Sequence, residues 1–281
     1  MCATCGCSSH APSVTDLESG HVLALGAHRH DHGDAHEHHH GDGDEHHHGE
    51  VAAPGVRADP RARVVRLEQD VLAKNDLLAE RNRSWFEEQG ILALNLMSSP
   101  GSGKTTLLER TIRDLGEELG ISVIEGDQET LFDAERIRAT GCRVVQINTG
   151  SGCHLDAEML RRGLDTLAPP AGSVLMIENV GNLVCPALFD LGECAKVVIM
   201  SITEGEDKPL KYPHMFRAAE IMLLNKIDLL PHLAFDIERC LGYSKRVNPE
   251  LAILSVSATR GDGLDAWYAW LREQAATVGT R

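Results

Sequence analysis

Nine residues, Ser98-Ser99-Pro100-Gly101-Ser102-Gly103-Lys104-Thr105-Thr106, constrain this chain more than any other stretch, because they join the apolar run 91–97 to an amphipathic segment opening on Leu107-Leu108. A strand, a glycine-rich turn and a helix in that order make a phosphate-binding loop. Amide groups of the loop and of the helix N-terminus present partial positive charge to an anion. In such a loop Gly101, Ser102, Gly103 and Thr106 surround the phosphates, Lys104 reaches the β- and γ-phosphates, and the Thr105 hydroxyl coordinates Mg²⁺. Ser98 stands where the usual motif begins with glycine; serine is small enough there unless the backbone demands a positive φ.

Downstream, the β-branched or aliphatic runs 121–125, 143–148, 173–178, 196–202, 220–224 and 251–256 alternate with amphipathic stretches. Buried strands separated by helical crossovers predict an α/β fold: a P-loop NTPase domain over 61–281, its mostly parallel sheet flanked by helices. Ligands of such sheets sit at the carboxyl ends of the strands, and the remaining motifs fall there. Asn225-Lys226-Ile227-Asp228 follows one strand and looks like the guanine-specificity motif of GTPases, in which Asp228 accepts hydrogen bonds from the ring. Ser257-Ala258-Thr259 after the last strand resembles the companion motif whose backbone N–H meets the guanine carbonyl.

Glu178-Asn179-Val180-Gly181 ends the strand 173–178, where Glu178 is expected to hold Mg²⁺ through water and Gly181 to offer its N–H to the γ-phosphate. Asn182, not glutamine, follows Gly181, so a Ras-like hydrolytic apparatus is not evident and turnover is expected to be slow. Asp127, after 121–125, is the candidate for positioning that water or completing the Mg²⁺ shell, with a helix cap as its alternative role.

Residues 1–60 hold few bulky apolar side chains and are expected to stay disordered without metal. Cys2, Cys5 and Cys7 form Cys-x-x-Cys-Gly-Cys, a packed set of soft thiolates suited to Ni²⁺, Zn²⁺ or Cu⁺. Loss of Met1 would add the α-amine of Cys2, and a planar S₃N set favours Ni²⁺. Ten histidines between His28 and His48 make a loose imidazole buffer whose binding weakens as pH falls through about 6.5. A formal charge of −15 without a Lys/Arg-rich run points to a cation as guest and away from nucleic acid or an anionic membrane. The start Met1-Cys2-Ala3-Thr4-Cys5 has neither a basic nor an apolar leader region, so a cytoplasmic protein with reduced thiols is expected. Apolar positions at helical spacing predict a leading helix over 61–88.

A second metal set is suggested by Cys153, His154 and Cys185, both segments leaving the carboxyl edge. Two thiols and one imidazole leave a shell for water or a second copy of the chain to complete. Cys142, Cys194 and Cys240 lack neighbouring donors and read as buried packing thiols.

Taken together, Cys-x-x-Cys-Gly-Cys, the histidine tract, Ser-Pro-Gly-Ser-Gly-Lys-Thr, Glu-Asn-Val-Gly-Asn-Leu-Val-Cys-Pro and Asn-Lys-x-Asp resemble the hydrogenase maturation GTPases of the HypB family along essentially the whole chain. That resemblance implies GTP-dependent homodimerisation, nickel delivery to the large subunit of a [NiFe] hydrogenase, and cooperation with a small zinc-containing accessory protein. By position, Cys2, Cys5 and Cys7 would be the tight nickel site, and Cys153, His154 and Cys185 the GTPase-domain site for nickel or zinc. The related urease GTPase is expected to carry Cys-Pro-His, whereas Cys185-Pro186 is followed here by Ala187. A nickel buffer with regulatory nucleotide binding and a P-loop kinase are the other readings of these motifs.

Overall fold

The computed structural model describes residues 12–25, 60–128 and 131–278, with the side chains of 60–68 left aside. The expected Cys2, Cys5, Cys7 site and the histidines from His28 to His48 lie outside the described residues. Among the described residues a single sheet runs through β1 (Ser13–Asp16), β2 (Val22–Ala24), β3 (Leu92–Ser98), β4 (Ile121–Asp127), β5 (Arg143–Asn148), β6 (Val174–Glu178), β7 (Ala195–Ser201), β8 (Ile221–Asn225) and β9 (Ala252–Ser255), in the spatial order β2-β1-β5-β4-β6-β3-β7-β8-β9. Strands β3 to β9 are mutually parallel. The helices are α1 (Pro60–Gln89), α2 (Lys104–Leu119), α3 (Phe132–Arg138), α4 (Ala157–Leu167), α5 (Cys185–Leu188), α6 (Lys208–Lys211), α7 (Pro213–Ala218), α8 (Ile237–Val247) and α9 (Leu264–Val278).

Every residue of β3 is buried, as a strand covered by helices on both faces requires. On one face Leu94 and Leu96 pack with Leu108, Ile112 and Trp267 from α2 and α9. On the other, Ala93, Ile124 and Ile147 meet Phe86 of α1 and Leu160 and Leu164 of α4. A third cluster joins β7 and β8 to Phe216 and Cys240. Chain order reverses around β3: the chain leaves it toward β4, returns to β6 on one side and crosses to β7 on the other. The phosphate loop therefore opens at the topological switch point, where a crevice forms beyond the strand ends. No helix among the described residues is long and apolar enough to cross a membrane.

The seven expected core strands are all present, and the leading helix spans Pro60–Gln89 against the predicted 61–88. One expectation is corrected. Residues 12–25, included in the segment expected to lack structure, form an antiparallel hairpin whose β1 pairs with β5, Ser13 to Asn148 through Asp16 to Val145. Val14, Leu17 and Leu25 are buried by this addition. Three apolar residues cannot order a short peptide alone, but β5 supplies an existing edge, and each ladder hydrogen bond formed there satisfies groups on both strands.

Candidate functional site

Local geometry of the loop follows from its glycines and from what approaches them. Gly103 caps α2 in the left-handed region at φ 92°, and a Cβ there would lie 2.6 Å from Asn225 Nδ2. Ser98 ends β3 with its hydroxyl donated to Ser99 O at 2.9 Å and is absent from the positive-φ residues, so the missing first glycine costs the loop nothing. A cavity of about 550 Å³ opens above the loop, lined by Ser98 through Thr106, by Glu125, Asp127 and Gln128 of the β4 end, by Arg136, and by Glu178, Gly181 and Lys226.

Lys104 Nζ lies 2.6 Å from Glu178 Oε1, and the Thr105 hydroxyl donates to the same oxygen at 2.7 Å. Three buried oxygens around them, Ser102 Oγ, Glu125 Oε2 and Glu178 Oε2, have no hydrogen-bond partner. Burial, reinforced by the Glu178 and Asp127 carboxylates, pushes the Glu125 carboxyl well above the usual carboxylate range. Unpartnered hard oxygens beside a lysine fit a hydrated Mg²⁺ carried in with a phosphate ester and do not fit a soft metal. Asp127 ends β4 and does not cap a helix: α3 begins at Phe132, with Leu131 in the cap position.

Asn225 and Lys226 reach the same loop from the end of β8, while Asp228 bonds to Ser257. Asn225 Nδ2 donates to Ser102 O at 3.1 Å, while Asn225 Oδ1 accepts from Ala258 N at 3.1 Å. Lys226, itself left-handed at φ 65°, donates to Gly101 O at 2.6 Å. Ser257 Oγ donates to Asp228 Oδ1 at 2.6 Å. The three motifs that sequence placed at separate strand ends are thus one bonded unit. Gly103→Ala is expected to lower nucleotide affinity at least tenfold and stability by about 1 to 3 kcal/mol, since the new methyl meets Asn225 at a strained φ. Fluorescent-nucleotide titration and urea unfolding check this; unchanged affinity would mean Asn225 does not hold the loop.

Cys153, His154 and Cys185 converge as the spacing suggested, their ligand atoms all within 4.8 Å of one another. The two sulfurs are 3.2 Å apart and unbridged, and Cys153 Sγ is 3.7 Å from His154 Nδ1. Burial lowers the His154 pKa, favouring the neutral imidazole that can donate its lone pair; the ring lies 3.9 Å from that of Phe189. Burial drives Cys142 up to about 12 and Cys240 to about 11, so these thiols stay protonated in packing roles. Cys194 departs from expectation: it is exposed at the entry to β7 and does not pack in the core.

Cluster and phosphate loop are stitched together. Asn182 Nδ2 donates to Cys153 O at 3.2 Å and Asn182 Oδ1 accepts from Val184 N at 2.9 Å, bridging the two cysteine segments. Next to it, Gly181 sits so close to Pro100 that a Cβ would lie 3.1 Å from Pro100 Cγ. On the β4 side, Thr149 N donates to Asp127 O at 2.9 Å and Gln128 Nε2 to Gly152 O at 2.9 Å, tying the end of β4 to the turn before Cys153.

Several residues of this pocket were not among the candidates from the sequence, Glu125 and Arg136 among them. Glu125 could have been found as a lone carboxylate in an apolar strand. Arg136, bonded to Thr106 Oγ1 at 3.2 Å and Glu109 at 2.9 Å, had no signal, because its place depends on α3 folding back over α2.

Residues 92–255 match the family model described as the CobW/HypB/UreG nucleotide-binding domain. Along 231 residues the chain is 59% identical to the hydrogenase maturation factor HypB of Rhizobium leguminosarum bv. viciae, covering 82% of this chain and 76% of that one. The chain belongs to the HypB family of hydrogenase maturation factors. Two solved HypB structures share its fold. That of Archaeoglobus fulgidus is 41% identical with a TM-score of 0.68, over 73% of this chain and 100% of that one. That of Helicobacter pylori, a complex with nickel, is 37% identical with a TM-score of 0.68, over 73% of this chain and 96% of that one. The nucleotide-binding domain common to HypB proteins thus coincides with β3 to β9, the part of the sheet that builds the pocket.

Proposed function

We propose that this protein is a GTP-hydrolysing nickel metallochaperone that loads the large subunit of a [NiFe] hydrogenase. The observation that carries the reading is the direct connection between the phosphate loop and the Cys153, His154, Cys185 cluster through Gly181 and Asn182. Asp228, oriented by Ser257, selects guanine, with Asn225 and Ala258 fixing the loop that receives the ring. Lys104 leaves Glu178 for the β- and γ-phosphates. Thr105, with Glu178 through water, would hold Mg²⁺, and Asp127 would complete that shell or position the attacking water; the ion would supply neutralisation of phosphate charge. Asn182, committed to Cys153 and Val184, is not available to orient an attacking water, which supports slow hydrolysis.

Nickel, or zinc in its place, is the cargo. Two thiolates and an imidazole are soft and borderline donors, and the nickel complex of the H. pylori relative supports the choice. The remaining coordination positions are filled by a second copy in a GTP-dependent homodimer, so loss of the γ-phosphate both shifts Gly181 and loosens the shell. Cys2, Cys5 and Cys7 serve as the tight nickel site in the cytoplasm, and a small zinc-containing accessory protein takes part in transfer. Ala187 after Cys185-Pro186 favours hydrogenase over urease as the acceptor system.

The test is a nickel titration of the full-length chain carrying Cys2→Ala, Cys5→Ala and Cys7→Ala, followed by thiolate-to-nickel charge-transfer absorption. Affinities with GDP and with a non-hydrolysable GTP analogue are expected to differ about tenfold, an ordinary coupling between sites. Identical affinity and release rate in both states would reduce the protein to a buffer with an idle nucleotide domain.

A further inference from the structure

Four asparagines, Asn75 and Asn82 on α1, Asn95 on β3 and Asn179 after β6, are 5, 1, 0 and 0% exposed. Each is a polar residue where an apolar one would fill the same space, and their amides form a closed circuit. Asn75 Oδ1 accepts from Ala157 N at 2.9 Å, and Asn75 Nδ2 donates to Asp190 O at 2.7 Å. Asn82 Nδ2 donates to Ala157 O at 2.9 Å and to Leu191 O at 3.1 Å. Leu191 N then donates to Glu193 Oε2 at 2.7 Å, Asn95 Nδ2 to Glu193 Oε1 at 3.0 Å and Asn179 Nδ2 to Asn95 Oδ1 at 3.2 Å. The circuit closes where Leu155 N donates to Asn179 Oδ1 at 3.2 Å.

The backbone points joined are informative. Leu155 and Ala157 follow Cys153-His154 directly; Asp190 and Leu191 follow the turn that starts at Cys185 and ends at Phe189, the ring packed on His154. We propose that α1 is a positioning strut of the metal cluster: Asn75 and Asn82 fix the separation of the two backbone segments that bear Cys153, His154 and Cys185. An uncharged amide donates and accepts at once from two separate atoms, as Asn75 does between Asp190 O and Ala157 N, and low dielectric makes each such bond costly to lose. Two further contacts press the helix onto the same loop. Gly192, at φ 87°, admits Ala79 O within 2.4 Å of where a Cβ would stand, and Arg83 pairs with Asp190 at 2.6 Å. The strut rests on the metal reading above but assigns residues outside both the pocket and the ligand set.

The experiment uses the full-length chain with Cys2, Cys5 and Cys7 replaced by alanine, bearing Asn75→Asp, Asn82→Ala or, as a control, Asn248→Ala. Asn75→Asp keeps the acceptor for Ala157 N–H and loses the donor to Asp190, so it reports on the bridge even where Asn82→Ala fails to fold. Asn248 makes a similar double bridge, to Phe216 O and Ala219 O, away from the cluster. Nickel affinity by charge-transfer absorption is expected to fall about tenfold or more in the Asn75 and Asn82 variants, as for other groups that orient metal ligands. GDP affinity is expected to stay within about twofold, and Asn248→Ala to change stability alone. Unchanged nickel affinity in folded Asn75→Asp, or an equal loss in Asn248→Ala, would overturn the strut. A parent spectrum no different from that of Cys153→Ala would overturn the metal site itself, and the strut with it.

Discussion

Lys104→Ala is expected to abolish measurable GTP and GDP binding and to destabilise the nucleotide-free protein by about 3 kcal/mol, the usual result of removing one partner of a buried ion pair. The second effect is the less obvious one. Glu178 is 1% exposed; Lys104 and Thr105 share its Oε1, Oε2 has no partner, and the Glu125 carboxyl lies in the same pocket. Without the ammonium, Glu178 keeps only the Thr105 hydroxyl against that environment. A phosphate ester must therefore displace Glu178 from Lys104 as it binds, so nucleotide arrival and rearrangement of the Glu178-to-Gly181 segment are one event. Chemical unfolding and fluorescent-nucleotide titration measure the two effects separately. Lys104→Ala combined with Glu178→Gln should recover most of the lost stability and none of the affinity; if stability does not return, the pair is not its source. Nickel binding at the proposed Cys2, Cys5 and Cys7 site should be unaffected by Lys104→Ala, because none of those thiols belongs to the phosphate loop.

The part of this architecture written in local sequence is the sheet from β3 to β9. Each of its strands is an apolar run bounded by turn residues, and each motif falls at a carboxyl end, so period and spacing suffice. Even the small misplacement at β3 has a local cause: Ile91 N bonds back to Phe86 O, which keeps that residue in the turn leaving α1. The convergence of Cys153, His154 and Cys185 was legible for the same reason, since Cys153-His154 and Cys185 follow strand-end loops. What was hidden depends on contacts between distant elements. The hairpin at 12–25 is stabilised by β5, more than a hundred residues away. Nothing in the helical periodicity of 61–88 singles out Asn75 and Asn82, which are buried by the docking of α1 against α4 and the 190–192 loop. Arg136 enters the pocket through α3, whose approach to Thr106 no pattern in the chain announces.

Asp228→Asn should lower GTP and GDP affinity by about 10³-fold or more, toward the 10⁴-to-10⁵-fold discrimination of sites built around one hydrogen-bonding ligand. The carboxylate is fixed before any ring arrives: Ser257 Oγ donates to Oδ1 at 2.6 Å and accepts from Arg260 N at 3.1 Å. Guanine offers two donors, the ring N–H and the exocyclic amine, to a group that can only accept. Asparagine puts an NH₂ against one of them, and a donor facing a donor in a half-buried position leaves both unsatisfied. Xanthine nucleotides, which carry an oxygen where guanine carries the amine, should accordingly bind the variant better than they bind the parent. Titration with GDP, XDP and ADP, before and after the substitution, reads the change. Were the protein instead a P-loop kinase using ATP, Asp228 would face no guanine, the ranking of the three nucleotides would survive the substitution, and the assignment of GTP would be wrong. Ser257→Ala gives a graded version of the same test: it leaves the acceptor in place but frees its orientation, so affinity should fall by far less than in Asp228→Asn while the preference for guanine over xanthine stays.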